Sequence, residues 1–118
     1  INIYTSSELT RFLENATDEN AQKAVLCADI ILEKAYEPKE LDCEFDGNGH
    51  TIHVKDNGVP CLFASITETG SVRNLVLTGK EGDTTAKVMA GITLQNLGTI
   101  ENCIVSADFS GGGFVNTF

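Results

Sequence analysis

Gly70-Ser-Val-Arg-Asn-Leu-Val-Leu-Thr-Gly79 and Gly98-Thr-Ile-Glu-Asn-Cys-Ile-Val-Ser-Ala107 carry one pattern at an offset of 28 residues. Glycine, a hydroxyl residue, a β-branched residue, a charge, asparagine and three apolar residues follow one another in the same order in both. Ordered agreement of this kind marks an internal repeat. A period in the twenties, built from short strands with Gly and Asn at the corners, belongs to a solenoid whose coils stack because none can bury its apolar face alone. Stacked at that offset, Val72 lies on Ile100, Leu75 on Cys103 and Leu77 on Val105. The amide of Asn74 then meets that of Asn102. An amide both donates and accepts, and equivalent positions of successive coils lie about 4.8 Å apart, so the two asparagines are expected to hydrogen bond at an inside corner.

Toward the N-terminus the same grammar continues. Ala24 to Leu32, broken only by Asp29, reads as a strand with Leu26, Ala28, Ile30 and Leu32 on one face. Leu41-Asp-Cys-Glu-Phe-Asp46 alternates, which places Leu41, Cys43 and Phe45 inward and Asp42, Glu44 and Asp46 outward. Gly47-Asn48-Gly49 supplies residues that accept positive φ, Ile52 and Val54 resume the alternation, and Asp56-Asn57-Gly58 turns the chain again. About four coils fit from Ala24 onward at such a period.

Only the front end has a helical period. Thr5 followed by Glu8 makes a capping box, Tyr4 and Leu9 are placed for a hydrophobic staple, and Leu9, Phe12, Leu13 and Ala16 recur at i, i+3, i+4 and i+7. The spacing predicts an amphipathic helix over residues 5 to 16, ended by the polar stretch from Thr17 to Lys23. It is expected to lie across the open end of the solenoid, where strand edges and apolar side chains would otherwise meet water. The chain therefore divides into a capping strand and helix, residues 1–23, and a run of coils, residues 24–118, within one domain.

The 118 residues are 42% hydrophobic, with 17 acidic against 8 basic side chains and a net charge of −9. The balance suits one small core and leaves no basic stripe to follow a phosphate backbone, so nucleic acid is excluded as an expected partner. No apolar run approaches the roughly 18 residues of a membrane span, and the start at Ile1 lacks an initiator Met and signal-like regions. The chain is expected to be a segment of a longer protein. Cys27, Cys43, Cys61 and Cys103 form no C-x-x-C pair, and only His50 and His53 accompany them as soft ligands, so no zinc site is expected. Each cysteine lies in an apolar run where a thiol acts as a small hydrophobe, and all four are expected reduced and mostly inward; two disulfides are the alternative.

Phe45-Asp-Gly-Asn-Gly-His-Thr-Ile52, Cys61-Leu-Phe-Ala-Ser-Ile66, and the two repeat strings beginning at Gly70 and Gly98 resemble the right-handed β-helix repeats of bacterial surface and secreted proteins, notably the GLUG-motif group. The resemblance covers roughly residues 24 to 118, and the front helix is similar to the N-terminal cap of such β-helices. It implies an all-β, pectate-lyase-like parallel solenoid exported to the cell surface or beyond. The pattern departs from the family at Ala90-Gly91-Ile92, where a single glycine and no bulky residue mark the corner.

Enzymes with this fold, by the same resemblance, use a groove of clustered carboxylates for Ca²⁺ or acid and base, with an arginine or lysine taking the proton. Here Asp42, Glu44 and Asp46 are the candidate metal ligands, and D-x-E-x-D-G is similar to the start of a calcium loop. The position of the bidentate Glu is occupied by His53, and strand alternation spaces the carboxylates about 7 Å apart. A solvated strand face without cofactor is expected, with Ca²⁺ as the alternative. Arg73 is expected to pair with Glu101 on the next coil, a surface contact worth at most about 1 kcal/mol. His50, after a glycine turn, has no nucleophile at a recognisable spacing and is expected to donate to backbone, and Ser65 and Ser71 lack a nucleophile-elbow context. The Asn15-Ala16-Thr17 sequon falls in the expected helix. No catalytic residue is assigned.

Two function classes remain. One is a noncatalytic module of an extracellular or cell-surface protein, a stiff spacer or adhesin repeat whose flat faces bind glycan or a host or surface protein. The other is a fragment of a carbohydrate-active β-helix enzyme, a lyase or hydrolase whose catalytic coils lie elsewhere. Sugar grooves are lined by aromatic rings, whereas this chain has no Trp, two Tyr and six Phe, several of them at cap or core positions, which favours the first class. Gly111-Gly-Gly-Phe-Val-Asn-Thr-Phe118 resembles the opening of another coil, as Gly91-Ile-Thr-Leu-Gln-Asn96 does earlier. The last coil is thus expected to pair end to end with a second copy or to bury Phe114 and Phe118 against itself.

Overall fold

The computed structural model describes residues 1–16, 22–34, 36–54, 61–79 and 91–106. They form a parallel β-solenoid of about three turns with one short helix. The strands are short because each coil must turn a corner every few residues. The first sheet holds β1 (Asn2–Ile3), β2 (Ala24–Leu26), β5 (Glu44–Asp46), β9 (Ser71–Arg73) and β12 (Thr99–Glu101) in that order. The second stacks β3 (Ile30–Leu32), β6 (Thr51–Val54), β10 (Val76–Gly79) and β13 (Ile104–Ser106). Two smaller ladders complete the coil, β7 (Cys61–Phe63) with β11 (Gly91–Thr93), and β4 (Glu40–Leu41) with β8 (Ser65–Ile66). Every pairing among them is parallel.

The repeat sets the register. Val72 pairs with Ile100, Leu77 with Val105 and Arg73 with Glu101, at the offset that the two glycine-led strings define. Each coil meets the next through the corner glycines as well. A Cβ at Gly70 would collide with the carbonyl oxygen of Leu41, and one at Gly98 with those of Gly70 and Thr67, so backbone packs on backbone where only hydrogen fits. Asn74 and Asn102 adopt φ of 54° and 55°, the left-handed region that asparagine tolerates better than most residues, and this turns the first sheet into the second. The single glycine at Gly91 does not interrupt the stack, since Gly91 pairs with Cys61 and Thr93 with Phe63.

Two expected strands are each broken by a corner. Ala24 to Leu32 is β2 and β3 in different sheets, because Asp29 accepts the Thr51 N–H at 2.9 Å and ties the intervening turn to the next coil. Leu26, Ile30 and Leu32 are buried and Ala28 only half so. Likewise Leu41 to Asp46 bends between β4 and β5, so Asp42 stands at a corner, apart from Glu44 and Asp46 on β5. The buried residues flanking each corner, Leu26 and Ile30, and Leu41 and Phe45, stand an even number of positions apart, which is why the alternation alone hid both breaks. The turn count is also lower than the expected four, because beyond Asn96 the fourth coil is represented among the described residues only by β12 and β13. The Asp56-Asn57-Gly58 turn, Thr17 of the sequon, most of the polar stretch after it, and Phe114 and Phe118 lie outside the described residues.

Helix α1 (Ser6–Glu14) has Thr5 as its N-cap, whose hydroxyl accepts the Glu8 N–H at 3.2 Å, while Glu8 accepts the Tyr4 N–H at 3.0 Å. This is a capping box shifted by one residue on its return bond. Tyr4 remains 57% exposed although Leu9 is buried, so the backbone bond rather than the expected staple fixes the entry to the helix. Leu9, Phe12, Leu13 and Ala16 are all buried as the spacing required. The Phe12 ring lies 5.6 Å from that of Phe45, which lies 5.8 Å from Phe63, so the helix caps an aromatic column running into the coils. The core below it is aliphatic, with Leu26, Leu32, Leu41, Ile52, Ile66, Leu75 and Leu77 almost without exposed surface.

Candidate functional site

The outer face of the first sheet carries a charge ladder. Lys23 reaches Glu44 at 2.9 Å, Arg73 reaches the other oxygen of Glu44 at 3.3 Å, and Arg73 pairs with Glu101 at 2.7 Å. Alternating cation and anion on successive rungs is the arrangement that parallel, in-register stacking requires, since like charges directly opposite would repel. Beside Glu44 the Lys23 ammonium is held charged to higher pH than usual, through the hydrogen bond first and the Coulomb attraction second. All these side chains are partly exposed, so solvent and salt screen each pair. Arg73 is thus committed at both ends to carboxylates.

At the adjoining corner runs an amide ladder. Asn102 Nδ2 donates to Asn74 Oδ1 at 2.7 Å, and Asn74 Nδ2 donates to Asp46 Oδ1 at 3.2 Å. The same Asp46 oxygen accepts the Asn48 N–H at 2.8 Å. The corner is not interior: Asn74 is half-buried and Asn102 exposed. Sequence reasoning found the two asparagines but not Asp46, which ends the ladder one coil earlier where an asparagine was lacking.

Asp42, Glu44 and Asp46 are therefore not one site. Asp42 takes the Thr67 hydroxyl at 2.5 Å and the Thr69 hydroxyl on the same oxygen, which together hold its carboxyl below the usual range. Glu44 belongs to the charge ladder and Asp46 to the amide ladder. Among the described residues no three His, Cys, Asp or Glu side chains converge in a way that would hold a metal ion. Alternation along one continuous strand had put all three carboxylates on a common outer face, whereas the corner through Cys43 leaves Asp42 outside β5, which carries the other two.

His50 lies not on backbone acceptors but beside Asp29, Nδ1 to Oδ1 at 3.2 Å. The Thr51 N–H and then His50 lower the Asp29 pKa, in that order of effect. His53 Nδ1 meets the Thr78 hydroxyl at 2.7 Å across the neighbouring rung. Ser65 donates to Glu40 at 3.0 Å, and Ser71 is buried. All these partners lie more than twenty residues away in sequence, one coil off, so only the coil offset signals them.

The four cysteines are free thiols. Cys61 is buried and its pKa is pushed up to about 11 by burial; burial also raises those of Cys43 and Cys103. High thiol pKa values remove the thiolate that nucleophilic or redox chemistry needs at neutral pH. Tyr36 donates to the carbonyl oxygens of Cys61 and Leu62 at 3.0 and 2.9 Å, and burial holds its phenol protonated. An open cleft of about 670 Å³ runs between α1 and β3, with Ser6, Thr10, Arg11, Ile31 and Lys34 among its walls. The Thr10 hydroxyl is already bonded back to the Ser6 carbonyl at 2.9 Å, within the helix.

The arrangement is chemically one of rung-to-rung ties on flat outer faces. No helix among the described residues is long and apolar enough to cross a membrane. Set against family models, curated proteins and solved structures, the chain matches none, so the parallel β-solenoid is the level at which it can be classified.

Proposed function

We propose that this chain is a noncatalytic β-solenoid module of a bacterial cell-surface or secreted protein, a stiff spacer or adhesin repeat whose flat faces contact glycan or protein. The observation that carries this reading is the commitment of polar side chains between coils. Arg73 bridges Glu44 and Glu101, Asp42 holds Thr67 and Thr69, and Asp46 closes the asparagine ladder, so groups that an enzyme would turn toward substrate are instead spent on stacking. Such ties resist shear between coils and leave a pleated, hydrated surface. The GLUG-like strings and the export they imply support the same reading.

The test is incubation with pectic and other acidic polysaccharides, following the absorbance of unsaturated product and the release of reducing ends. No turnover, with saturable retention on immobilised glycan or surface protein, is the expected result. Turnover that survives repurification would overturn the noncatalytic reading and favour a piece of a polysaccharide lyase or glycoside hydrolase.

A further inference from the structure

We propose that Asn48-Gly49 is a self-modification site, held unreactive by the coil that carries Asn74 and converted to isoaspartate when the two coils part at this corner. The proposal stands whether or not the chain is catalytic.

The chemistry is intramolecular and needs only water. The Gly49 backbone nitrogen attacks Cγ of Asn48 and gives its proton to solvent. The Cγ–Nδ2 bond breaks, the side-chain nitrogen takes up a proton and leaves as ammonia, and a five-membered succinimide closes. Water then opens the ring at either carbonyl, giving aspartate or, with the backbone rerouted through Cγ, isoaspartate. A following glycine favours the attack, because no side chain obstructs the nitrogen and the backbone rotates freely to bring it onto Cγ. Among the described residues Asn48 alone precedes a glycine, whereas Asn74 and Asn102 precede Leu75 and Cys103.

In the fold that nitrogen is occupied. The Gly49 N–H donates to the Asn74 carbonyl oxygen of the neighbouring coil at 2.8 Å. The amides on either side are bonded too, Asn48 to Asp46 Oδ1 at 2.8 Å and His50 to the Gly47 carbonyl at 2.8 Å. With φ of 53° at Asn48 and 79° at Gly49, the last of these bonds closes a two-residue turn with positive φ at both central positions. Attack requires Gly49 to give up Asn74 and its peptide to rotate, and the bonds on both sides oppose that rotation.

The guard is the contact between coils. The Gly47 N–H donates to the Arg73 carbonyl at 2.7 Å, and a Cβ on Gly47 would lie 2.5 Å from the Asn74 carbonyl oxygen and 2.6 Å from the Leu75 Cα. The carbonyl that holds Gly49 therefore rests directly on Gly47, and the corner opens only when residues 73–75 lift away from residues 47–49. Conversion runs one way. Isoaspartate adds a methylene to the backbone of a tight turn and a second carboxylate close to Asp46, and both oppose closure of the corner. The site thus records coil separation as a permanent chemical mark.

The test follows Asn48 by mass spectrometry during incubation of the full chain at neutral pH. Trypsin releases residues 40–55, in which Asn48 is the sole asparagine, and electron-transfer fragmentation separates isoaspartate from aspartate. The free peptide of residues 40–55, in the same buffer, is the unguarded reference. Conversion in the folded chain is expected to be slower by at least about fivefold, the factor that one net backbone hydrogen bond supplies. Gly47→Ala, which pushes the Asn74 carbonyl off the corner, should recover much of the peptide's rate, and Gly70→Ala, whose clash is with the Leu41 carbonyl, should stay near wild type. Circular dichroism first establishes that both variants fold. Should G47A not fold, wild type in rising urea takes its place, and conversion should accelerate before the global unfolding transition. Conversion of the folded wild type at the peptide's rate, equal acceleration by both variants, or acceleration in urea only with global unfolding would overturn the proposal.

Discussion

Leu75 and Cys103 occupy equivalent places in consecutive coils, yet Leu75 is fully buried and Cys103 is not. At the other end, Ile3, Ala24 and Leu26 are fully buried although they too belong to terminal rungs. The difference is α1. The front rungs have a helix laid over them, whereas the rear rungs have neighbours on one side among the described residues. Burial in a solenoid is thus a property of the stack and not of the residue, since each coil is stabilised by the coils it touches. Stability should therefore be graded along the chain, strong where a rung is enclosed and weaker at β12 and β13, whose inward residues are only partly buried.

The largest break in that comparison comes from removing the cap. Replacing both Leu9 and Phe12 with Ala deletes two buried side chains at the helix–coil contact, each worth about 2–5 kcal/mol. A drop in melting temperature large enough to leave the protein partly unfolded at 25 °C is expected by circular dichroism. An unchanged melt would mean that α1 is an appendage and that the front rungs are stable by themselves.

The equivalent pair sharpens the gradient directly. Leu75→Ala should cost about 2–5 kcal/mol in a denaturant titration, and Cys103→Ala less than about 1 kcal/mol, because the cavity term needs an enclosed site. Equal losses would show that the rear rung is as tightly packed as the middle one.

A smaller effect is expected at the corners, where backbone meets backbone. Gly70→Ala places a methyl against the Leu41 carbonyl, and relief requires the coils to part locally, at about 1–3 kcal/mol. Differential scanning calorimetry would detect it, and a neutral result would mean that the two coils slide freely at this corner.

The smallest effect is electrostatic. In the folded state Asp29 and Asp42 have pKa values lowered by their bonds to Thr51 and His50, and to Thr67 and Thr69. Carboxylates depressed on folding contribute stability that is complete above the unfolded value, near pH 4, and is lost as pH falls through the folded values. Both groups are exposed, so a melting temperature lower by only a few degrees is expected below about pH 4. Asp42→Asn should blunt that acid loss, and an acid profile identical to wild type would remove Asp42 from the ties between coils.

The repeat led by Gly70 and Gly98 was sufficient to read the parallel register, because two strings with the same glycine, asparagine and apolar order admit only one alignment. The helix was equally legible, since Thr5, Glu8 and the spacing of Leu9, Phe12, Leu13 and Ala16 are local signals. Arg73 opposite Glu101 followed from the same offset and is present at 2.7 Å. The corners marked by Gly47-Asn48-Gly49, Asn74 and Asn102 were legible, and those at Asp29 and Asp42 were not. Ala24 to Leu32 and Leu41 to Asp46 keep their alternation through a bend, so the sequence offered no sign that Asp42 would leave Glu44 and Asp46.

What the sequence by itself determined, then, is what depends on neighbours along the chain or on a constant offset: the cap, the solenoid class and the pairing of equivalent residues. The tertiary structure decided where each coil bends, and through the bends which polar groups meet. Asp29 with His50, Asp42 with Thr67 and Thr69, and Lys23 with Glu44 lie at separations shorter than the 28 residues that the two glycine-led strings define. Their separations vary because turns differ in length from coil to coil, and hydrogen bonds of this kind form only after the strands on either side have fixed the distance between their partners.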